Sequence, residues 1–148
     1  MEIKGKIVEE MKAAAKEKAK ARLSIIRFAL AAVQNKEKEL RRELAEQEAI
    51  QVISGLIKKA KESIEQFKSG QRSDLVEKEE NEIAVLQAFL PQQLTAAELE
   101  AQVSQAVEEV GASAPQDMGK VMKILMPRIA GRADGKMVNE LVRKRLAG

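Results

Sequence analysis

Ile50-Gln-Val-Ile-Ser-Gly-Leu-Ile-Lys-Lys-Ala-Lys-Glu-Ser-Ile-Glu-Gln-Phe67 spaces its apolar residues in steps of three and four: Ile50, Ile53, Ile57, Ala60, Ile64 and Phe67. Only a helix of 3.6 residues per turn gathers such positions on one side, and their regularity makes a heptad-like seam. Lys68-Ser69-Gly70 then reads as a stop, with Gly70 suited to the left-handed residue that closes many helices.

The same period extends in both directions. Ile3, Ile7, Met11, Ala14 and Ala15 mark a first helix, and Leu23, Ile26, Leu30, Val33, Leu40 and Leu44 a long second one, interrupted where Glu37 fills an apolar slot. Beyond Gly70, Ser73 or Asp74 is placed to cap a fourth helix carrying Val76, Ile83, Leu86 and Leu90. Pro91 ends it, because the residue before proline is pushed away from helical dihedrals. Thr95-Ala-Ala-Glu98 is a capping box opening a helix through Leu99, Val103, Val107 and Val110, closed by Gly111. Ser113-Ala-Pro-Gln116 reads as a second box, ahead of a stripe at Met118, Val121, Met122, Leu125 and Ile129 that Pro127 should kink or loosen. Asp134 can cap a last helix through Val138, Leu141, Val142 and Leu146. No strand pattern intervenes. The expected fold is all-α, an N-terminal longer-helix bundle over 1–92 and a compact three-helix C-terminal domain over 93–148. Each half is small for a core of its own, so the two are expected to pack together.

Composition narrows the chemistry. Of 148 residues 45% are apolar, but the aromatics are three Phe alone, so the core must be aliphatic. There is no Cys and no His, which removes thiolate chemistry, disulfides, the usual base near neutral pH and the commonest metal ligand. The serines stand in no Ser-x-x-Lys or Gly-x-Ser-x-Gly context, and Gly119-Lys120 lacks the rest of a phosphate loop. Glu77, Glu79, Glu80 and Glu82 run along one helix and point to different sides, unlike a metal cage. No catalytic residue, metal or cofactor is expected. The charged start is no signal peptide, and no run is apolar enough to span a membrane, so the expected address is the cytoplasm.

Charge is unevenly spread although the net value is only +3. Residues 91–116 hold Glu98, Glu100, Glu108 and Glu109 and no base. From Asp117 onward eight bases face Asp117, Asp134 and Glu140. Lys12, Lys16, Lys18, Lys20, Arg22 and Arg27 form a second cluster. Such patches point to a polyanion or an acidic partner, or else are solvated helix faces.

Asp117-Met-Gly-Lys-Val-Met-Lys-Ile-Leu-Met-Pro-Arg-Ile-Ala-Gly-Arg-Ala-Asp-Gly-Lys-Met-Val-Asn139 closely resembles the signature of the GatB/YqeY family. Lys20-Ala-Arg-Leu-Ser-Ile-Ile-Arg27, Gly70-Gln-Arg-Ser-Asp-Leu75 and Phe89-Leu-Pro-Gln-Gln-Leu94 resemble the same family, nearest its stand-alone YqeY-like members. Two departures stand out: Gln71 interrupts the usual Gly-Arg pairing, and Phe89 sits where tyrosine is familiar. The resemblance implies kinship with the tail domain of the B subunit of the glutamine-dependent tRNA amidotransferase, which grips the outer corner of tRNA. The family's carbon–nitrogen ligase chemistry resides in domains this sequence does not show. A tail-like role fits the residues. Helix N-termini at Met118-Gly-Lys120 and Asp134-Gly-Lys136 offer N–H groups to phosphate, and glycine lets a backbone come close. Lys120, Lys123, Arg128, Arg132, Lys136, Arg143 and Lys144, with Arg145 beside them, are the candidate contacts to tRNA or another structured RNA. Gly119, Gly131, Asp134, Gly135 and Asn139 are signature positions with structural alternatives: close helix packing for Gly119, turns for Gly131 and Gly135, a cap for Asp134, a loop tie for Asn139. The other reading is a protein–protein adaptor whose seams at Leu23–Val33 and Ile50–Phe67 engage a partner helix.

Overall fold

The computed structural model describes residues 2–147. Its helices are α1 (Ile3–Lys16), α2 (Lys20–Leu40), α3 (Glu46–Ser69), α4 (Ser73–Gln87), α5 (Ala96–Val110), α6 (Met118–Ile129) and α7 (Gly135–Ala147), with a 3-10 turn at Pro115–Asp117 before α6. There is no strand among the described residues. The chain divides into two units, Met1–Leu90 and Pro91–Gly148.

In the first unit α3 lies along α4 and α1 along α2, while α2 also touches α3 and α4. The stripes meet in one core: Ile3, Ile7 and Ala14 from α1, Ile26, Ala29 and Val33 from α2, Ala49, Ile50, Ile53 and Ile57 from α3, then Val85, Leu86 and Phe89. Each large aliphatic side chain fully withdrawn from water contributes about 1.5–3 kcal/mol. Phe89 is buried there, where a tyrosine hydroxyl would need a partner. Ile26 and Val33 of the one seam and Ile50, Ile53 and Ile57 of the other thus lie in the unit's own core. Ala60 and Ile64 are buried as well, while Leu23, Leu30 and Phe67 are half-buried.

Polar pairings hold the ends of these helices, and most lie outside any periodic pattern. The α1 N-terminus is closed from 43 residues away, where both carboxylate oxygens of Glu46 accept from the Ile3 N–H at 3.1 and 3.3 Å. Glu37 has a reason for its apolar slot: Lys4 Nζ donates to it at 2.7 Å and the Leu44 N–H at 3.0 Å. Leu44 itself lies in the loop after α2, which ends at Leu40. In that loop Arg42 holds Glu48 with both Nη atoms, at 2.7 and 2.8 Å, and the Ala45 N–H donates to the same carboxylate at 2.9 Å.

Two expected caps differ from what is observed. Gly70 has φ −87°, and the left-handed residue is Gln71, at φ 57°. The Arg72 N–H reaches the Phe67 carbonyl and the Gln71 N–H the Lys68 carbonyl, so the helix closes one residue later than glycine would favour. Neither Ser73 nor Asp74 caps α4. Ser73 is already helical, the residue before α4 is Arg72, and Asp74 pairs with the Arg72 guanidinium at 3.2 Å.

The carboxylates of this loop make acid a selective stress. Hydrogen bonds from Lys4 and the Leu44 N–H lower Glu37, and those from Arg42 and the Ala45 N–H hold Glu48 at about 2. A carboxylate that is lowered in the folded chain stabilises it above its ordinary value of 4.5, and that contribution disappears as pH falls through the folded value. Protection of the Leu44 and Ala45 amides, taken relative to the intrinsic exchange rate at each pH, is therefore expected to fall as Glu37 and Glu48 take up protons, at Ala45 between 4.5 and about 2, before the core helices respond, with the Glu48→Gln chain less pH-sensitive at Ala45. Protection at Ala45 that stays constant across that window would contradict the account.

In the second unit α5, α6 and α7 touch one another pairwise. Leu99, Val103, Ala106, Val107, Val121, Leu125, Ile129, Val138, Val142 and Leu146 make an entirely aliphatic core. The Thr95 box is present in both directions: the Glu98 N–H donates to Thr95 Oγ1 and the Thr95 N–H to Glu98 Oε1, each at 3.1 Å. Gly111 takes the left-handed cap at φ 65°. The Ser113 box is not formed. Instead Asp117 reaches back, and its Oδ2 accepts from the Ser113 and Ala114 N–H groups at 3.0 and 3.2 Å. A carboxylate one residue further along takes the part that the Gln116 side chain would play in that box, accepting from the Ser113 N–H. Pro127 lies inside α6, which runs two residues past it to Ile129.

Candidate nucleic-acid interface

The candidate residues lie on α6, α7 and the turn between them. At 100° per residue, Val121, Leu125 and Ile129 define the inner side of α6, and Lys120 and Lys123 fall opposite. Both are exposed, Lys120 with 72% of its side chain accessible and only a long 3.9 Å approach to Asp117. On α7 the inner side is Val138, Val142 and Leu146. Lys136 and Arg143 share one exposed flank two turns apart, Glu140 lies between them, and Lys144 points away from the core. The side chains of Lys123, Lys136, Arg143 and Lys144 have no ionic or hydrogen-bonded partner among the described residues.

Arg128 and Arg132 belong to a different class. Arg128 Nη2 lies 2.6 Å from Glu109 Oε2, which raises the guanidinium and lowers the carboxyl, each chiefly through that hydrogen bond. The Arg132 Nε donates to the Gln92 carbonyl at 2.9 Å. Around it Gln93 Nε2 donates to the Gly131 carbonyl at 2.6 Å, and the Leu94 N–H to the Arg132 carbonyl at 2.8 Å. The Pro-Gln-Gln-Leu segment is thus clipped to the α6–α7 turn, two stretches that the sequence shows only as separate motifs. Gln92 and Gln93 carry no charge and no periodicity that would have singled them out. Arg132 is half-buried, with its Nε engaged in this clip.

The glycines also sort by position. Gly131 is left-handed at φ 74°, a turn that other residues enter at a cost. At Gly119 and Gly135 an added Cβ would meet nothing within 4 Å, so close helix packing does not explain Gly119. Asp134 Oδ1 accepts from the Lys136 N–H at 3.0 Å, capping α7 and already using one donor of that helix end. Asn139 is exposed and its amide makes no hydrogen bond among the described residues, so it does not tie the loop. No three acids converge to hold a metal ion among the described residues, and no described helix is long and apolar enough to cross a membrane.

Comparison with known proteins covers nearly the whole chain. The family described as Yqey-like protein matches residues 4–146. The protein called altered inheritance of mitochondria protein 41, mitochondrial, of Lachancea thermotolerans is 39% identical over 97 residues, 64% of this chain and 52% of its own length. The chain thus spans about half of that relative. A protein of the same name from Pyrenophora tritici-repentis is 31% identical over 138 residues, 91% of this chain and 76% of its own. An uncharacterised Schizosaccharomyces pombe protein is 33% identical over 90 residues, 61% of this chain and 70% of its own.

Proposed function

The chain belongs to the YqeY-like family, and from that premise we propose that it is a non-catalytic RNA-binding module that contacts tRNA, or another structured RNA, and serves glutamine-dependent tRNA amidotransferases. The observation that carries this reading is the set of unpaired outward cations in the second unit, Lys123, Lys136, Arg143 and Lys144, with Lys120 nearly free beside them. Cations without protein partners gain most from phosphate, because binding breaks no existing pair and releases counterions from the nucleic acid. Gly119 and Gly135 support the same reading: with open space at the first turns of α6 and α7, glycine leaves backbone N–H groups approachable where side chains would stand. Tyr and Trp are absent, so recognition rests on backbone and shape. The cytoplasm is the proposed address; two of the relatives carry mitochondrial names, which speak for those proteins.

Charge reversal tests this. The Lys123→Glu, Arg143→Glu chain is expected to lose its gel shift of whole tRNA, a fall of roughly tenfold or more, with thermal melting unchanged. Wild-type affinity should fall with salt by a logarithmic slope of about 0.7–0.9 per phosphate contact. Failure of the wild-type chain to shift tRNA at low salt sinks the RNA reading. Glutamine turnover by the purified chain sinks its non-catalytic part.

A further inference from the structure

We infer that the outward face of α2 docks an amphipathic helix of another protein that carries acidic residues along one edge. The inner side of α2 is set by Ile26, Ala29 and Val33. Opposite it, over four turns, lie Ala21, Ser24, Phe28, Ala31 and Asn35, every one exposed and none charged. In a chain that is 33% charged, this is an unusual stretch of helix surface. Phe28 stands at its centre with 53% of its surface in water, whereas Phe67 is half-buried and Phe89 buried. An exposed aromatic with Ser24 and Ala31 above and below it has the form of an interface anchor, large and stiff.

The edge of this face identifies the partner's chemistry. Lys20, Arg27 and Lys38, spaced by seven and eleven residues, lie within about 20° of one another around the helix. All three are exposed, and none has an anionic partner among the described residues, whereas Arg22 nearby is held by Glu10 at 2.9 Å. A helix bringing apolar residues onto Phe28 and acids onto that edge satisfies both features together. Two other occupants fit less well. Nucleic acid fits less closely, because the cations form a single row along one edge and the far edge of the face carries the exposed acid Glu39. A second copy laid antiparallel sets the cationic edge against its own counterpart, Lys20 opposite Lys38. Laid parallel, it offers one acid, Glu39, which Lys36 already engages at 3.4 Å.

The inference stands apart from the RNA reading, which rests on the other unit. Its test places a photocrosslinking residue at position 28 of the full chain in cells and identifies the captured segment by mass spectrometry. That segment, synthesised as a peptide, is titrated against the purified full chain. The expected segment is helical and acidic along one edge. Its affinity should fall by roughly tenfold or more for Phe28→Ser, for Ala31→Arg, and for Lys20→Glu with Arg27→Glu. Exchanging the peptide's acids for lysine should restore binding to the charge-reversed chain. Both Phe28 and Ala31 face water, so these variants should keep the helical content of the wild type. An adduct with RNA, lipid or a second copy overturns the inference, as does the lack of any adduct or a segment indifferent to the cation reversal.

Discussion

Leu125→Ala is expected to melt the C-terminal unit while the helices of the N-terminal unit persist. Leu125 is fully buried in the middle of α6, the helix that touches both α5 and α7. Its neighbours in the core are aliphatic, so no aromatic ring can swing into the space left behind. Truncations of this kind cost about 2–5 kcal/mol, more where the surroundings cannot collapse. A unit of the size of Pro91–Gly148, with no cysteine to form a disulfide, has a total stability of about the same size. The measurement is a thermal melt followed by helical circular dichroism, with amide exchange read separately at Ile53 and Val142. Protection at Val142 should collapse and protection at Ile53 should survive. Equal loss at both sites, or a loss under about 1 kcal/mol, would show that α6 is not the keystone of a separate core.

The all-α class and the positions of most helices are legible in the sequence, because burial imposes a period on the chain and a period is visible. Ile50, Ile53, Ile57 and Ile64 announced α3, and all are buried. Pairings between distant polar groups leave no such trace. Nothing near Ile3 marks Glu46 as its cap, and nothing near Gln93 points to the Gly131 carbonyl 38 residues on. Local capping fared unevenly for a related reason. Thr95 has its acceptor at the residue that needs it, whereas at Ser113 and Ser73 nearby carboxylates, Asp117 and Asp74, form the local bonds. At the candidate interface, composition located the positive charge but could not tell which cations were already engaged. Arg128 is taken by Glu109 from 19 residues away, and Arg132 by a backbone carbonyl. What remains outward is a smaller set than the sequence counted.

Arg132→Glu is therefore expected to weaken RNA binding through the fold, not through a lost contact. The substitution removes the hydrogen bond to the Gln92 carbonyl and sets a carboxylate against that oxygen, with Glu98 contributing further negative charge nearby. A charge-assisted hydrogen bond is worth about 1.5–3 kcal/mol, toward the lower end here because the bond is exposed. For a unit of this size each kcal/mol moves the melting temperature by roughly 4–8 °C. The C-terminal melt should fall by several degrees and exchange at the Leu94 N–H should quicken, since that amide is held by the Arg132 carbonyl in the same clip. Any loss of tRNA shift should then track the melt, and cooling well below the new midpoint should recover part of it. The Lys123→Glu, Arg143→Glu chain provides the contrast, binding lost at every temperature with the melt in place. If Arg132→Glu abolished the shift and left melting and Leu94 exchange untouched, Arg132 would be a phosphate contact after all, and the clip between Gln92–Leu94 and the α6–α7 turn would carry no weight in the fold.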